Sequence, residues 1–409
     1  MTNREAAIRV VRTLQGKGHE ALLAGGCVRD MLLRRRAKDY DVATDARPGD
    51  VTRLFRRTLK VGAKFGVVIV LMGAGQVEVA TFRSDSGYAD GRHPGAVEFT
   101  NAAEDAARRD FTINGMFYDP VKREVLDYVG GRADLKKRVV RTIGRAEDRF
   151  AEDHLRMMRA VRFSTQLGFG IERATWAAIR GNAAGISRIS AERIAMELEL
   201  ILTSPNRAAG ALMMIESGLA SSIFDGFGGR EADVGVCVLG RLPKRVDFAL
   251  ALAGFFAGFE TESAARKCRV LKLSRNLTRH TGFLLSNRGK LLRYDMSLAE
   301  LKTVLAEPYF EDLYDLEKAI QRAGGRGRGV LVPLMKLRKR INALGDVELR
   351  PKPLLNGHDL MRLGAVAGPG LGQLAEELYV AQLEGAVQTA GQARLWAREW
   401  LEKHRAIDK

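Results

Sequence analysis

The chain has 409 residues and is 46% hydrophobic, more length than one hydrophobic core usually serves, so two or more domains of a soluble globular protein are expected. Its three cysteines, Cys27, Cys237 and Cys268, form no CxxC pair, which argues against a zinc site and a disulfide framework, and no apolar run is long enough to span a bilayer. The formal net charge of +17 points to a polyanionic partner, nucleic acid being the usual one, although a composition rich in Arg throughout would give the same balance.

The scattered cysteines fit a reduced, cytoplasmic setting, and the N-terminal residues are polar and lack the apolar core of a signal peptide. Residues 1–20 read as a helix, with Ala6, Ile8, Val11 and Leu14 at helical spacing. Short β-rich runs follow at 21–24, 40–43, 67–71 and 76–82, the last two joined by a hairpin turn at Gly73-Ala74-Gly75. In the second partner Val77, Val79 and Thr81 share one face, and Glu78 and Ala80 the other. The β signal ends near 125–128. From about residue 146 helical spacing dominates; 192–202 alternates charged and apolar positions at that period, and Leu- and Ala-rich segments broken by Gly, Pro or Asn continue to 409. The most apolar stretch, 248–259, is too short to cross a membrane. The fold class is α+β: a head with a small mixed β-sheet and helices, then an all-α remainder. Gly324-Gly325-Arg326-Gly327-Arg328-Gly329 reads as a basic loop.

The chemistry starts at Gly25-Gly26-Cys27-Val28-Arg29-Asp30, followed by Lys38-Asp39-Tyr40-Asp41. Gly-Gly lets a phosphate approach successive backbone N–H groups. Asp39 and Asp41 are two apart, so on a strand both carboxylates share a face and form a site for Mg²⁺ beside that phosphate. The combination suggests nucleotidyl transfer. A lone DxD is usually a solvated turn, and the glycine run ahead of it is what strengthens the reading. No GxxxxGK[ST] occurs, which disfavours a P-loop ATPase. Arg29 is a candidate triphosphate contact, whereas Asp30 reads as structural, pairing with backbone or an Arg. Glu78 becomes a third carboxylate if its strand neighbours theirs.

Arg108-Arg109-Asp110-Phe111-Thr112-Ile113-Asn114 mixes donors and acceptors suited to a ribose and phosphates, but taken alone reads more readily as an amphipathic helix start with an Asp cap. In Glu152-Asp153-His154-Leu155-Arg156, Asp153 and Arg156 are i,i+3 neighbours if helical. An Asp accepting from an exocyclic amine beside an Arg donating to a ring nitrogen matches cytosine and adenine, and mismatches uracil and guanine. The plainer alternative is a surface ion pair. Arg159 and Arg162 are candidates for phosphates or for pairing with Glu192. His154 reads as a packing or surface residue. His358-Asp359 lacks the further His and Asp ligands of an HD phosphohydrolase, and that reading is rejected.

These runs, with Gly130-Gly131-Arg132-Ala133-Asp134-Leu135, Arg141-Thr142-Ile143-Gly144, Arg159-Ala160-Val161-Arg162-Phe163 and Ile189-Ser190-Ala191-Glu192-Arg193-Ile194, resemble the class II tRNA nucleotidyltransferases, which include CCA-adding enzymes and bacterial poly(A) polymerases. The resemblance covers roughly residues 20–205; Leu355-Asn356-Gly357-His358-Asp359-Leu360 and Gly368-Pro369-Gly370-Leu371-Gly372 look like the weaker tail motif. It implies a catalytic head (1–145), a neck that recognises the base (146–210), and a body (211–345) and tail (346–409) that bind RNA. By that resemblance Asp39 and Asp41 hold Mg²⁺, and Gly25, Gly26 and Arg29 contact the triphosphate. Arg109, Asp110 and Asn114 surround sugar and phosphates, and Asp153 and Arg156 select the base.

The implied activity is template-independent addition of CCA to the tRNA 3′ end from CTP and ATP, releasing pyrophosphate. Residues 84–94 look like the loop such enzymes use to switch from CTP to ATP, and Val61-Gly62-Ala63-Lys64-Phe65 looks like the tRNA-repair type rather than the Arg-rich poly(A) polymerase segment. The alternatives are an A-adding enzyme, a poly(A) polymerase and a catalytically silent RNA-binding protein. Candidate RNA contacts are Arg266, Lys267, Arg269, Lys272, Arg275, Arg279, Arg326 and Arg328, each equally a residue of a solvated basic face. Nothing in the sequence sets the oligomeric state.

Overall fold

The structure, a computed structural model, describes residues 1–59, 65–73, 75–88, 94–325, 328–345 and 347–405. The chain divides into two compact units, one of residues 1–240 with 258–274, the other of 241–257 with 275–409.

The first unit opens with helix α1 (Asn3–Gln15), held by a capping box between Thr2 and Glu5. It is shorter than the predicted 1–20, because Gly16 caps it and Gly18 turns the chain at φ +88°. Ala7 and Val10 join Ala6, Val11 and Leu14 in the core, while Ile8 is only half-buried. Next come β1 (Ala21–Ala24), α2 (Gly26–Leu32), β2 (Asp41–Thr44), α3 (Pro48–Leu54), β3 (Thr58–Leu59), β4 (Val67–Met72), β5 (Gly75–Thr81), β6 (Arg83–Tyr88), β7 (Pro94–Phe99), α4 (Ala102–Ala107), β8 (Met116–Asp119) and β9 (Glu124–Asp127). Seven strands form one mixed sheet in the order β3-β4-β5-β2-β1-β8-β9, in which only β2 and β5 run parallel. All four residues of β1 are buried, as befits a central strand covered on both faces. One face carries a core of Leu22, Ala24, Ala43, Phe82, Ala102, Ala106 and Phe117, and α1 lies against β1 and β5. The predicted faces of β5 hold: Val77, Val79 and Thr81 are buried and Glu78 is exposed.

The sequence reading left out β8, whose residues follow a polar run and take strand form by pairing between β1 and β9. Part of the predicted loop at 84–94 is also strand, since β6 and β7 pair antiparallel; residues 89–93 lie outside the described residues, as do 61–64.

The chain continues with α5 (Gly131–Lys137), β10 (Val139–Val140), α6 (Ala146–Glu152), α7 (Leu155–Leu167), β11 (Gly170–Ile171), α8 (Arg173–Asn182), α9 (Ala191–Leu202), α10 (Arg207–Glu216), α11 (Leu219–Ile223) and α12 (Gly229–Leu239). The segment predicted as all-helical therefore contains one short strand, β11, parallel to β10. Helix α9 occupies the predicted 192–202 and packs on α7. After α13 (Phe248–Phe255) of the second unit, α14 (Thr261–Val270) returns to the first.

The second unit adds α15 (Arg275–Ser286), α16 (Leu298–Leu305), α17 (Phe310–Gly324), α18 (Val332–Leu344), α19 (Gly357–Arg362), α20 (Pro369–Leu383) and α21 (Ala390–Arg405). Every residue of α13 is buried, against α15 and α17. His280 stacks on Tyr309 between Asp247, the cap of α13, and Asp312 in the first turn of α17. Asp359 completes a capping box with Asn356 and His358 is exposed, in keeping with rejection of an HD metal pair. Among the described residues no helix is long and apolar enough to cross a membrane.

Gly131 opens α5 against the turn that precedes β8. A Cβ there would lie 2.3 Å from the Thr112 carbonyl oxygen and 2.8 Å from Met116 Cγ, and a backbone oxygen cannot step aside. Gly131→Ala is expected to destabilise the first unit by about 1–3 kcal/mol in urea unfolding, the usual range for overpacking.

Candidate active site

The register of β1 on β2 sets Ala24 opposite Asp41, so the chain leaves β1 beside that carboxylate. Gly25 makes the exit at φ +72°, a left-handed conformation that favours glycine, and its N–H extends the ladder to the Met116 carbonyl at 3.1 Å. A Cβ on Gly25 would also meet Arg109 Nη1 at 2.9 Å. Val42 pairs with Val79 across the parallel β2–β5 contact, which places Glu78 next to Asp41 on the same face. Glu78 therefore stands where the sequence allowed a third carboxylate.

A cavity of about 970 Å³ opens here, and all twelve residues predicted for catalysis and nucleotide binding line it. They are Gly25, Gly26, Arg29, Asp39, Asp41, Arg109, Asp110, Asn114, Asp153, Arg156, Arg159 and Arg162. Nine Arg or Lys side chains face five carboxylates around its wall, an excess suited to a polyanionic ligand. Arg36, Lys38, Arg108, Phe163, Gln166 and Arg193 also line it and were not singled out from sequence. Lys38, Arg108, Phe163 and Arg193 lay inside quoted motifs, so their signal was present; Arg36 and Gln166 lay in none.

The arginines are held in place. Asp105, only 1% exposed, accepts from Arg108 Nη2 at 2.6 Å and from Arg109 Nη2 at 2.9 Å. Asp110 Oδ2 takes Nε and Nη2 of Arg159 at 2.9 and 2.6 Å, and its Oδ1 accepts from Asn114 Nδ2 at 3.1 Å. Asn114 Oδ1 in turn accepts from Arg29 Nη1 at 2.7 Å, and Arg29 Nε donates to Asp30 at 2.9 Å. Asp30 thus has the structural Arg pairing expected of it. The Phe163 ring lies under the guanidinium groups of Arg162, Arg29 and Arg159 at 4.2, 5.2 and 5.5 Å.

Asp39 and Asp41 differ from these acids. Among the described residues neither carboxylate has an ion-pair partner. Asp41 faces the open cavity, yet the surrounding protein and then Glu78 push its carboxyl up to about 6; Asp39 adds to this and Arg109 opposes it. Concentrated, uncompensated carboxylate oxygens are the donor set of a hard divalent cation, so the residues present fit one. The Cys27 thiol beside them is pushed up to about 11, chiefly by burial, and is not a nucleophile at neutral pH.

Several expectations are corrected. Asp153 and Arg156 do not share a helix: Asp153 is the extended C-cap of α6 (φ −152°, ψ 103°) and Arg156 lies in α7. Asp153 pairs with Arg193 at 2.7 Å, and Arg156 pairs with Glu152. Arg162 pairs with Glu197 at 3.2 Å, and Arg159 with Asp110, so Glu192 is not their partner. The run 108–116 is no α-helix; Thr112–Asn114 is a single 3-10 turn, and Asp110 Oδ1 accepts from the Phe111 N–H. His154 packs against Gly185, whose Cβ would come within 2.5 Å of the ring. Lys267 is buried, and its ammonium donates to the Asp225 carbonyl, which removes it from the RNA candidates. Arg266, Arg269, Lys272, Arg275 and Arg279 are exposed. Arg326 lies outside the described residues, and Arg328 begins a 3-10 helix, Arg328–Leu331.

Burial alone would raise Asp110, but Arg159 and Asn114 hold it below its ordinary value of 3.8. A carboxylate depressed in the fold adds stability that is present above that ordinary value and is lost as the pH falls through the depressed one. Asp110→Asn is expected to cost about 1–3 kcal/mol at pH 7, less than for a fully buried pair because a third of Arg159 is exposed. The loss should shrink as the pH falls below 3.8, as urea unfolding between pH 3 and 7 would show.

The chain was compared with known proteins. Residues 21–141 match the family described as the poly A polymerase head domain, and 168–227 match a probable RNA and SrmB-binding site of polymerase A. A CCA-adding enzyme of Geobacillus stearothermophilus is 33% identical, over 99% of this chain and 98% of its own length. One from Lactobacillus johnsonii is also 33% identical, over 93% and 94%. The crystal structure of the Bacillus stearothermophilus CCA-adding enzyme in complex with CTP superimposes with a TM-score of 0.81 at 29% identity, covering 100% of both chains. The Thermotoga maritima CCA-adding enzyme, complexed with tRNA, shares the fold at a TM-score of 0.67 and 20% identity, over 97% of this chain and 95% of that one. With relatives this similar along nearly its whole length, the chain belongs to the CCA-adding enzyme family of nucleotidyltransferases.

Proposed function

We infer that the protein completes tRNA 3′ ends by adding CCA without a template, using CTP and ATP and releasing pyrophosphate. The observation that carries this reading is the unpaired Asp39–Asp41 set at an arginine-lined cavity of nucleotide size. Asp39 and Asp41, with Glu78 beside them, hold divalent metal as Mg²⁺, which supplies activation of the RNA 3′ hydroxyl and charge stabilisation at the leaving pyrophosphate. Gly25, Gly26 and Arg29 bind the triphosphate, and Arg109, Asp110 and Asn114 border sugar and phosphates. Arg159 and Arg162 flank them over Phe163.

Attack on the α-phosphate then needs only that the hydroxyl and the triphosphate be aligned, which is the work of positioning groups. Asp153 and Arg156 choose the base: the carboxylate accepts from the amine of cytosine or adenine, and the guanidinium donates to the adjacent ring nitrogen. The four-part division of labour is a head at 1–145, a neck at 146–210, and a body (211–345) and tail (346–409) on the RNA. Exposed Arg266, Arg269, Lys272, Arg275 and Arg279 are its phosphate contacts.

The test is incorporation on tRNA lacking CCA, ending in C and ending in CC, each with CTP, ATP or both. All three should be completed to CCA and extended no further. Addition of A to the CC-ended tRNA alone would make the enzyme an A-adding specialist, and long A tails on any RNA a poly(A) polymerase. Asp39→Ala and Asp41→Ala should each lower incorporation by more than about a hundredfold, since loss even of outer-shell metal partners costs about 10–100-fold. Undiminished addition by either variant would overturn the metal assignment.

A further inference from the structure

Asp153 and Arg156 read the base in the function proposed above, yet neither is positioned by the other. Arg156 Nη1 is spent on the Arg149 carbonyl at 3.1 Å and on Glu152. Its Nε and Nη2 make no hydrogen bond among the described residues, so they remain as donors on a side chain only 11% exposed. The acceptor half is fixed from a different helix. Arg193, in the first turn of α9, meets Asp153 as a fork: Nη2 to Oδ2 at 2.7 Å and Nη1 to Oδ1 at 3.4 Å. The Leu155 N–H donates to the same Oδ1 at 3.0 Å. An ionised carboxylate has about four acceptor positions. Three are engaged here, and the remaining capacity belongs to whatever enters the cavity that both Asp153 and Arg193 line.

We propose that Arg193 is a specificity-determining positioning residue, which holds Asp153 as a fixed, acceptor-only carboxylate toward the incoming base. This rests on the assignment of Asp153 and Arg156 as base readers. The chemistry follows from the fork. Asp153 is followed by a helix start rather than embedded in a helix, so its neighbours in sequence fix only one oxygen, through Leu155. Without Arg193 the carboxyl group turns about its last torsion, so its lone pairs are no longer held toward a base amine or against the carbonyl oxygen of uracil or guanine. Arg193 therefore serves discrimination between amino-bearing and oxo-bearing bases, a role a single point charge fills poorly because it cannot engage both oxygens.

The test measures kcat and KM separately for CTP and UTP on tRNA lacking CCA, and for ATP and GTP on tRNA ending in CC, with the full chain. Arg193→Gln is expected to lower the CTP-to-UTP and ATP-to-GTP ratios of kcat/KM by at least about tenfold, with Arg193→Lys in between. An unchanged ratio, or an equal fall for all four nucleotides as a merely structural residue would give, overturns the proposal. If Arg193→Gln does not fold, Arg193→Lys carries the same test. Asp153→Asn runs alongside: full discrimination in that variant sinks the base-reading assignment itself. Lost discrimination in Asp153→Asn, but not in the Arg193 variants, sinks the Arg193 proposal alone.

Discussion

The ion pair between Asp110 and Arg159 is the fixed point of the cavity. It joins the turn before β8 to the middle of α7, two segments 49 residues apart in sequence. From it contacts run both ways, through Asn114 to Arg29 in α2, and through Arg159 to Glu197 at 3.7 Å on α9. Both ends are short side-chain links between rigid elements, so the wall that would meet phosphates is set before any ligand arrives. Burial is what makes the pair consequential. Removing one partner leaves a largely desolvated charge, which costs far more than an exposed ion pair contributes.

The same network separates charge. Asp105, Asp110, Asp153, Glu152 and Glu197 each engage one or two arginines of the cavity region. That arrangement keeps guanidinium groups off Asp39 and Asp41, which have no cationic partner among the described residues and repel each other. Arg109 makes the point: it is near enough to stabilise the Asp41 anion, yet its hydrogen bonds go to Asp105 and to the Asn114 carbonyl. A site meant for a divalent cation must stay free of competing side chains while the neighbouring site for phosphates stays rich in them. In the reading proposed above, the two demands are met a few residues apart because different acids hold the different arginines.

Local pattern made much of this legible. The Gly25 turn is a short-range feature, and the alternation of β5 placed Glu78 correctly on the face opposite Val77 and Val79, whereas Asp39, expected on one strand with Asp41, precedes β2, which begins at Asp41. What failed was pairing over distance. Helical spacing made Asp153 and Arg156 look like partners, but a cap residue intervenes, and their partners come from α9 and α6. Arg162 finds Glu197, five residues beyond the anticipated Glu192, since the α7–α9 packing and not the sequence interval decides which acid is near. Strand β8 escaped notice because its form depends on β1 and β9 as neighbours.

The net charge of +17 deserves a stricter reading than its size invites. Many of the cations responsible point inward. Arg207, Lys267 and Lys302 are buried, and donate to the carbonyls of Ser204, Asp225 and Leu383. Arg29, Arg159 and Arg162 are committed to the cavity. Such residues contribute to the formal charge but release no counterions when RNA binds at the surface, so they do not enter the salt dependence of its affinity. Lys267 shows how a sequence-level basic patch overcounts: it sits between exposed Arg266 and Arg269 on the same helix, and its ammonium lies over the Phe259 ring at 5.1 Å. The charge available to phosphates is set by which side of each helix its lysines and arginines occupy, and α14 turns the middle member of an apparent cluster into the core.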